Sequence, residues 1–208
     1  MTFERPITYL ITSGQASPEN FEINKNAILS AVRRAVDCGV SLVQLREKRL
    51  TAKQLFELAT EASKLTRGNE TRLLVNDRAD IAVAAGADGV HLTSTSLPAG
   101  LIRRAFGDDL FIGVSTHTVD EVAIAKQDGA DFAVFGPVFA VPEKSAPVGI
   151  EALRSACDRA GDFPVLALGG IDLVNYRSAL DAGAAGIAAI RLFGDADLSK
   201  VMRKIANE

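Results

Sequence analysis

The 208-residue sequence predicts an α/β fold, a single-domain (β/α)8 TIM barrel covering residues 1–208. Three observations predict it. A helical stretch that ends at glycine and passes into a short apolar strand recurs, as AVDCGVSLVQL (35–45), AVAAGADGVHL (82–92), AKQDGADFAVF (125–135) and ALDAGAAGIAAI (179–190). Gly39, Gly86, Gly129 and Gly183 stand where a helix C-terminus favours a left-handed residue. The strand runs are apolar without strict alternation, the pattern of a parallel sheet covered on both faces. Eight such runs occur, each with a helical stretch after it, which is the grammar of a closed barrel.

The first strand is expected at Ile7–Thr12, with the tip TSG (12–14). The following TSGQASPENF lacks the glycine fingerprint of a dinucleotide-binding turn, which argues against an open doubly wound sheet. The second strand, Leu42–Arg46, runs into QLREK (44–48), and the third, Leu73–Asn76, into VNDRAD (75–80). The fourth, Gly89–Leu92, ends in HLTSTS (91–96), and the fifth, Phe111–Ser115, in VSTHT (114–118). The sixth, Phe132–Phe135, is followed by GPVFAVPEK (136–144), and the seventh, Val165–Leu168, by LGGID (168–172). The eighth, Gly186–Ile190, ends in IRLFG (190–194), and a last helix is expected at Leu198–Ala206. The tips are polar where the strand bodies are not. Barrel enzymes place their chemistry at those tips.

Composition narrows the function classes. Hydrophobic residues make up 48% of the chain, enough for a sizeable core. A formal charge of −3 excludes a general nucleic-acid or anionic-membrane surface while allowing a local cationic pocket. Cys38 and Cys157 are far apart and show no metal or redox spacing, so a reducing, cytoplasmic setting is expected. MTFERPITYLITSG has no basic segment ahead of a long apolar run, so no signal peptide is expected. No apolar run reaches the roughly 18 residues of a membrane span.

Two features point to anions. Arg46 and Lys48 are two apart and share one side of a strand end, where an oligophosphate would suit them. Lys144 could close over the same anion; the alternative is that Arg46 and Glu47 pair with neighbours at the rim. Gly169 and Gly170 follow the seventh strand, where bare backbone N–H groups make a phosphate cradle that the eighth strand completes. Asp77 is either a Mg2+ ligand beside a polyphosphate or the N-cap of the third helix. His117 sits among hydroxyls at a tip and suits proton transfer or a substrate hydrogen bond. His91, between apolar neighbours, reads as structural.

QLREK, VNDRADIAVAAGADGVHL, IGVSTHTVDEV, GADFAVFGPVF with Lys144 beyond it, and ALGGI together resemble the thiamin phosphate synthase family, which includes the related thiazole tautomerases. The resemblance runs from about Tyr9 to Ile190. It implies a Mg2+-assisted transferase of thiamine biosynthesis with small phosphorylated pyrimidine and thiazole substrates, and it leaves homo-oligomer formation open. By that resemblance Gln44, Asn76 and Tyr9 contact the pyrimidine, Arg46, Lys48, Ser115 and Lys144 the pyrophosphate, and Asp77 the metal. Gly169 and the backbone of Ile190 fall where the thiazole phosphate binds.

The sequence departs from the family pattern in three places. Ser96 stands where the synthases carry a second metal-binding carboxylate, which implies weak Mg2+ binding. Val141 and Glu143 replace hydroxyl residues before Lys144, and Arg191 follows the eighth strand where small residues are common. A tautomerase isomerising a carboxythiazole phosphate through His117, or a non-catalytic relative binding a thiamine precursor, are the alternatives.

Overall fold

The computed structural model describes residues 6–141, 146–194 and 197–206. Eight parallel strands close into one barrel in sequence order: β1 (Ile7–Ile11), β2 (Leu42–Leu45), β3 (Arg72–Asn76), β4 (Gly89–Leu92), β5 (Phe111–Thr116), β6 (Phe132–Phe135), β7 (Val165–Leu168) and β8 (Gly186–Ala189). The ring closes where β8 pairs with β1, Leu10 lying opposite Ala189. Each expected strand is present, with ends displaced by at most one residue. Gly39, Gly86, Gly129 and Gly183 all have positive φ, as the helix-to-strand passages require.

Around the barrel lie α1 (Phe21–Asp37), α2 (Ala52–Thr66), α3 (Ala79–Ala85), α4 (Ala99–Phe106), α5 (Val119–Gln127), α6 (Ile150–Ala160), α7 (Tyr176–Asp181), α8 (Arg191–Gly194) and α9 (Leu198–Ala206). Their sequences explain them. In α2, Thr51 and Gln54 form a capping box, and Leu55, Leu58, Ala59 and Ala62 recur at helical spacing on the buried face. Fully burying a leucine such as Leu58 contributes about 1.5–3 kcal/mol. In α9, Leu198, Val201 and Ile205 make the same kind of stripe. The one-turn α8 was not expected from the sequence; it carries Arg191 at its first position. No helix among the described residues is long and apolar enough to cross a membrane.

Side chains alternate along each strand, so one set fills the barrel and the other meets the helices. Ile7, Tyr9, Leu42, Leu74, Phe132 and Leu166 belong to the buried cluster inside the barrel. Leu10, Val43, Leu73, Val75 and Ala133 belong to the larger cluster shared with the helices. The period of two then has a functional consequence. Gln44 lies two residues beyond Leu42, and Asn76 two beyond Leu74, so both point into the top of the barrel.

Candidate active site

At the barrel mouth, polar side chains form two hydrogen-bonded chains. In the first, Gln44 Nε2 donates to Asn76 Oδ1 (3.1 Å), and Asn76 Nδ2 donates to Asp77 Oδ2 (2.8 Å). The other carboxylate oxygen, Oδ1, accepts from the hydroxyls of Ser96 and Thr93. Asp77 has φ 60°, a left-handed conformation that aspartate tolerates better than most residues. Its N–H donates to the His91 carbonyl (2.9 Å). The N-cap of α3 is Arg78, without a side-chain cap, so the Asp77 carboxylate serves the mouth and not the helix.

The second chain runs beneath the first. The Tyr9 hydroxyl lies 3.2 Å from His91 Nδ1, and His91 Nε2 lies 2.9 Å from Ser115 Oγ. Tyr9 is wholly buried, and burial drives its phenol well above the usual range. Burial also lowers the His91 pKa to about 4; the positive charges of Arg46 and Lys48 act in the same direction, and Asp77 opposes them. At neutral pH His91 is therefore uncharged, with one ring nitrogen donating and the other accepting. His91 faces Asn76 across the β3–β4 register. The sequence signal that could have exposed it was this shared inward parity, which its apolar neighbours concealed.

Arg46 and Lys48 stand at the β2 tip, Arg46 half-buried and Lys48 exposed. Among the described residues neither pairs with a carboxylate. Glu47 between them is buried and accepts from the backbone N–H groups of Gly14 (3.1 Å) and Ala16 (2.9 Å). Of the alternative in which Arg46 and Glu47 pair with neighbours at the rim, Glu47 follows a version of its own: its carboxylate turns inward onto a neighbouring loop. Lys48, Asn76, Asp77, Arg78 and Thr95 line a cavity of about 380 Å³. The two cations at the β2 tip suit a diphosphate.

A second cavity, about 130 Å³, opens between the tips of β5 to β8 and is lined by His117, Val141, Gly169, Gly170, Ile190 and Arg191 among others. Gly169 has φ 100° and Gly170 φ 63°. A Cβ on Gly169 would stand 2.5 Å from Pro137 Cβ, and one on Gly170 2.6 Å from the Ala140 carbonyl oxygen. Only glycine lets the backbone turn there. Among the described residues, the N–H groups of Gly169, Gly170 and Ile171 have no acceptor. Asp172 shapes the following turn: its Oδ1 accepts from Val174 N (2.8 Å) and Asn175 N (3.0 Å). His117 Nδ1 faces the Gly136 carbonyl oxygen. A carbonyl only accepts, so Nδ1 is the donor in this contact. Glu143 and Lys144 lie outside the described residues.

The donor set around Asp77 is oxygen only: one carboxylate and the hydroxyls of Ser96 and Thr93. No group of three or more His, Cys, Asp or Glu among the described residues is arranged to hold a metal. The set nevertheless fits Mg2+, which is commonly held by one or two carboxylates with substrate phosphate and water completing the shell.

The chain is similar to proteins of known family. A profile of the family described as Thiamine monophosphate synthase matches residues 8–193. The thiamine-phosphate synthase of Acidothermus cellulolyticus is 43% identical over 173 residues, covering 82% of this chain and 80% of that protein. The thiamine-phosphate synthase of Caldicellulosiruptor bescii is 38% identical over 186 residues, covering 88% and 84%. Among solved structures, the thiamine phosphate pyrophosphorylase from Pyrococcus furiosus superposes with a TM-score of 0.81 at 30% identity, covering 97% of this chain and 94% of that one.

Proposed function

The chain belongs to the thiamine monophosphate synthase family, and we propose that its barrel mouth joins hydroxymethylpyrimidine diphosphate to a hydroxyethylthiazole phosphate, releasing pyrophosphate. The protein is a transferase of thiamine biosynthesis. Two unpaired cysteines, Cys38 and Cys157, fit a reducing cytoplasm.

The observation that carries this reading is a pair of strand-tip features: Arg46 and Lys48 at the end of β2, with Lys48 in a cavity beside Asn76 and Asp77, and a second cavity beside the backbone N–H groups of Gly169 and Gly170. The diphosphate lies against Arg46 and Lys48, with Lys144 and Ser115 as further contacts. The pyrimidine lies over Gln44 and Asn76, with Tyr9 in the floor. The thiazole sits beside His117, its phosphate on the N–H groups of Gly169 and Gly170 and the backbone after Ile190.

The C–O bond to the diphosphate breaks, and its electron pair leaves with the pyrophosphate. The pyrimidine cation that remains is captured by the thiazole nitrogen lone pair, forming the C–N bond without a proton transfer. Charge grows on the leaving group, so fixed cations at Arg46 and Lys48 stabilise the transition state more than the ground state. Asp77, with Ser96 and Thr93, would hold Mg2+, which supplies further positive charge to the diphosphate when bound. The isomerase alternative needs no diphosphate clamp, and the names carried by the relatives favour the transferase. The test is direct: both substrates with the wild-type protein should give thiamin phosphate and pyrophosphate in equal amounts. Failure to exceed the uncatalysed background refutes the assignment.

A further inference from the structure

Glu47 is the buried charge that the proposed chemistry does not use. It is 2% exposed, at the end of a strand, between two cations that it does not touch. A buried carboxylate is costly unless its oxygens are hydrogen-bonded. Here each oxygen has its own donor: Oε1 accepts from Gly14 N (3.1 Å) and Oε2 from Ala16 N (2.9 Å). Both donors belong to the loop between β1 and α1. Thr12 Oγ1, on the same loop, accepts from Arg46 N (2.8 Å). Three hydrogen bonds therefore stitch residues 12–16 to residues 46–47.

The stitched loop lies against Arg46. A Cβ built on Gly14 would stand 3.1 Å from Arg46 Nη1 and 3.1 Å from its carbonyl oxygen, so the guanidinium rests on the loop backbone. Gly14 has φ 77°, where larger residues are strained. The chemistry also explains why residue 47 is an acid. A glutamine of the same length would turn an NH2 donor towards one of two N–H donors; only a carboxylate accepts at both ends.

We propose that Glu47 is a positioning residue for the transfer: it latches the β1–α1 loop onto the β2 tip and so sets the guanidinium of Arg46 for the diphosphate. This rests on the synthase reading of the site. The latch predicts a particular pattern in Glu47→Gln. The KM for the pyrimidine diphosphate should rise and kcat should fall, each about tenfold, as expected for a misplaced charged contact. The KM for the thiazole phosphate should not change. In an Arg46→Ala background the same substitution should cost nothing further, because the residue it acts through is gone.

The experiment combines steady-state kinetics of wild type, Glu47→Gln, Arg46→Ala and the double variant with calorimetry of inorganic pyrophosphate binding. Thr12→Val, a milder cut of the same stitch, is carried in parallel in case Glu47→Gln does not fold; a smaller loss of the same kind is expected. Weakened pyrophosphate binding in Glu47→Gln, absent from the Arg46→Ala background, supports the latch. Additive losses overturn it, as does wild-type pyrophosphate affinity in both Glu47→Gln and Thr12→Val. Binding is read without turnover, so a wild-type protein that fails to couple the substrates would refute the synthase reading while the latch is still judged.

Discussion

His91 Nε2 and Ser115 Oγ meet at 2.9 Å beneath the barrel mouth, and the same imidazole reaches the Tyr9 hydroxyl on its other side. The neutral ring thus ties a floor residue to one of the expected pyrophosphate contacts. Its place next to Phe132, with ring centroids 6.1 Å apart, keeps water away. A charged ring in that place is disfavoured, which is why its pKa falls to about 4.

That depression makes stability depend on pH. The unfolded chain takes up a proton near pH 6.5 and the folded one only near 4. The stabilisation is fully present above 6.5 and is lost as pH falls towards 4, in total roughly 3 kcal/mol. Urea unfolding at pH 7.5 and 4.5 should show a steeper acid loss for wild type than for His91→Asn. Parallel losses would mean that the ring titrates normally.

Asp77 and Ser96 predict the metal dependence. With one carboxylate, Mg2+ should bind weakly in the absence of pyrophosphate, and coupling should need a high Mg2+ concentration. Ser96→Asp should lower the Mg2+ concentration at half-maximal rate about tenfold or more, since a carboxylate replaces a neutral ligand. Calorimetry with no Mg2+ uptake by either form, even with pyrophosphate present, would contradict this.

Arg191 lines the cavity beside Gly169 and Gly170 and is exposed. A guanidinium beside a phosphate cradle favours a charged acceptor. Arg191→Ala should raise the KM for the thiazole phosphate about tenfold, in line with loss of a charge-assisted contact, and leave the unphosphorylated thiazole alcohol unaffected. Equal effects on both acceptors would place Arg191 outside the phosphate site.

His117 distinguishes transfer from isomerisation. In the transferase its ring at most donates or accepts one hydrogen bond, so His117→Asn should cost no more than about tenfold in turnover. A general acid–base role would cost about 10²–10⁴-fold. A loss in that upper range on the coupling reaction would require a proton-transfer role for the imidazole.

The barrel was legible because burial on both faces writes continuous apolar runs, and glycines mark where each helix turns into the next strand. Strand tips pointed to the candidate site for the same reason: Arg46, Asn76 and Gly169 are polar or flexible where the pattern demands bulk. Three features were not legible. Glu47 looks like a surface charge in REK, and only the closing of the β1 loop over it makes it a buried acceptor. His91 sits between apolar neighbours, and its partners come from β1 and β5, distant in the chain. The choice between capping and mouth for Asp77 depends on a left-handed backbone that spacing does not reveal.

The central claim is that Arg46 and Lys48 hold a departing diphosphate, and a single-turnover assay of the coupling reaction tests it most directly. Arg46→Ala and Lys48→Ala should each cost about 2–4 kcal/mol of transition-state stabilisation, a rate loss of about 30- to 1,000-fold. Thiazole phosphate binding should stay at the wild-type level in both variants. A wild-type rate of pyrophosphate release in either variant would contradict the account.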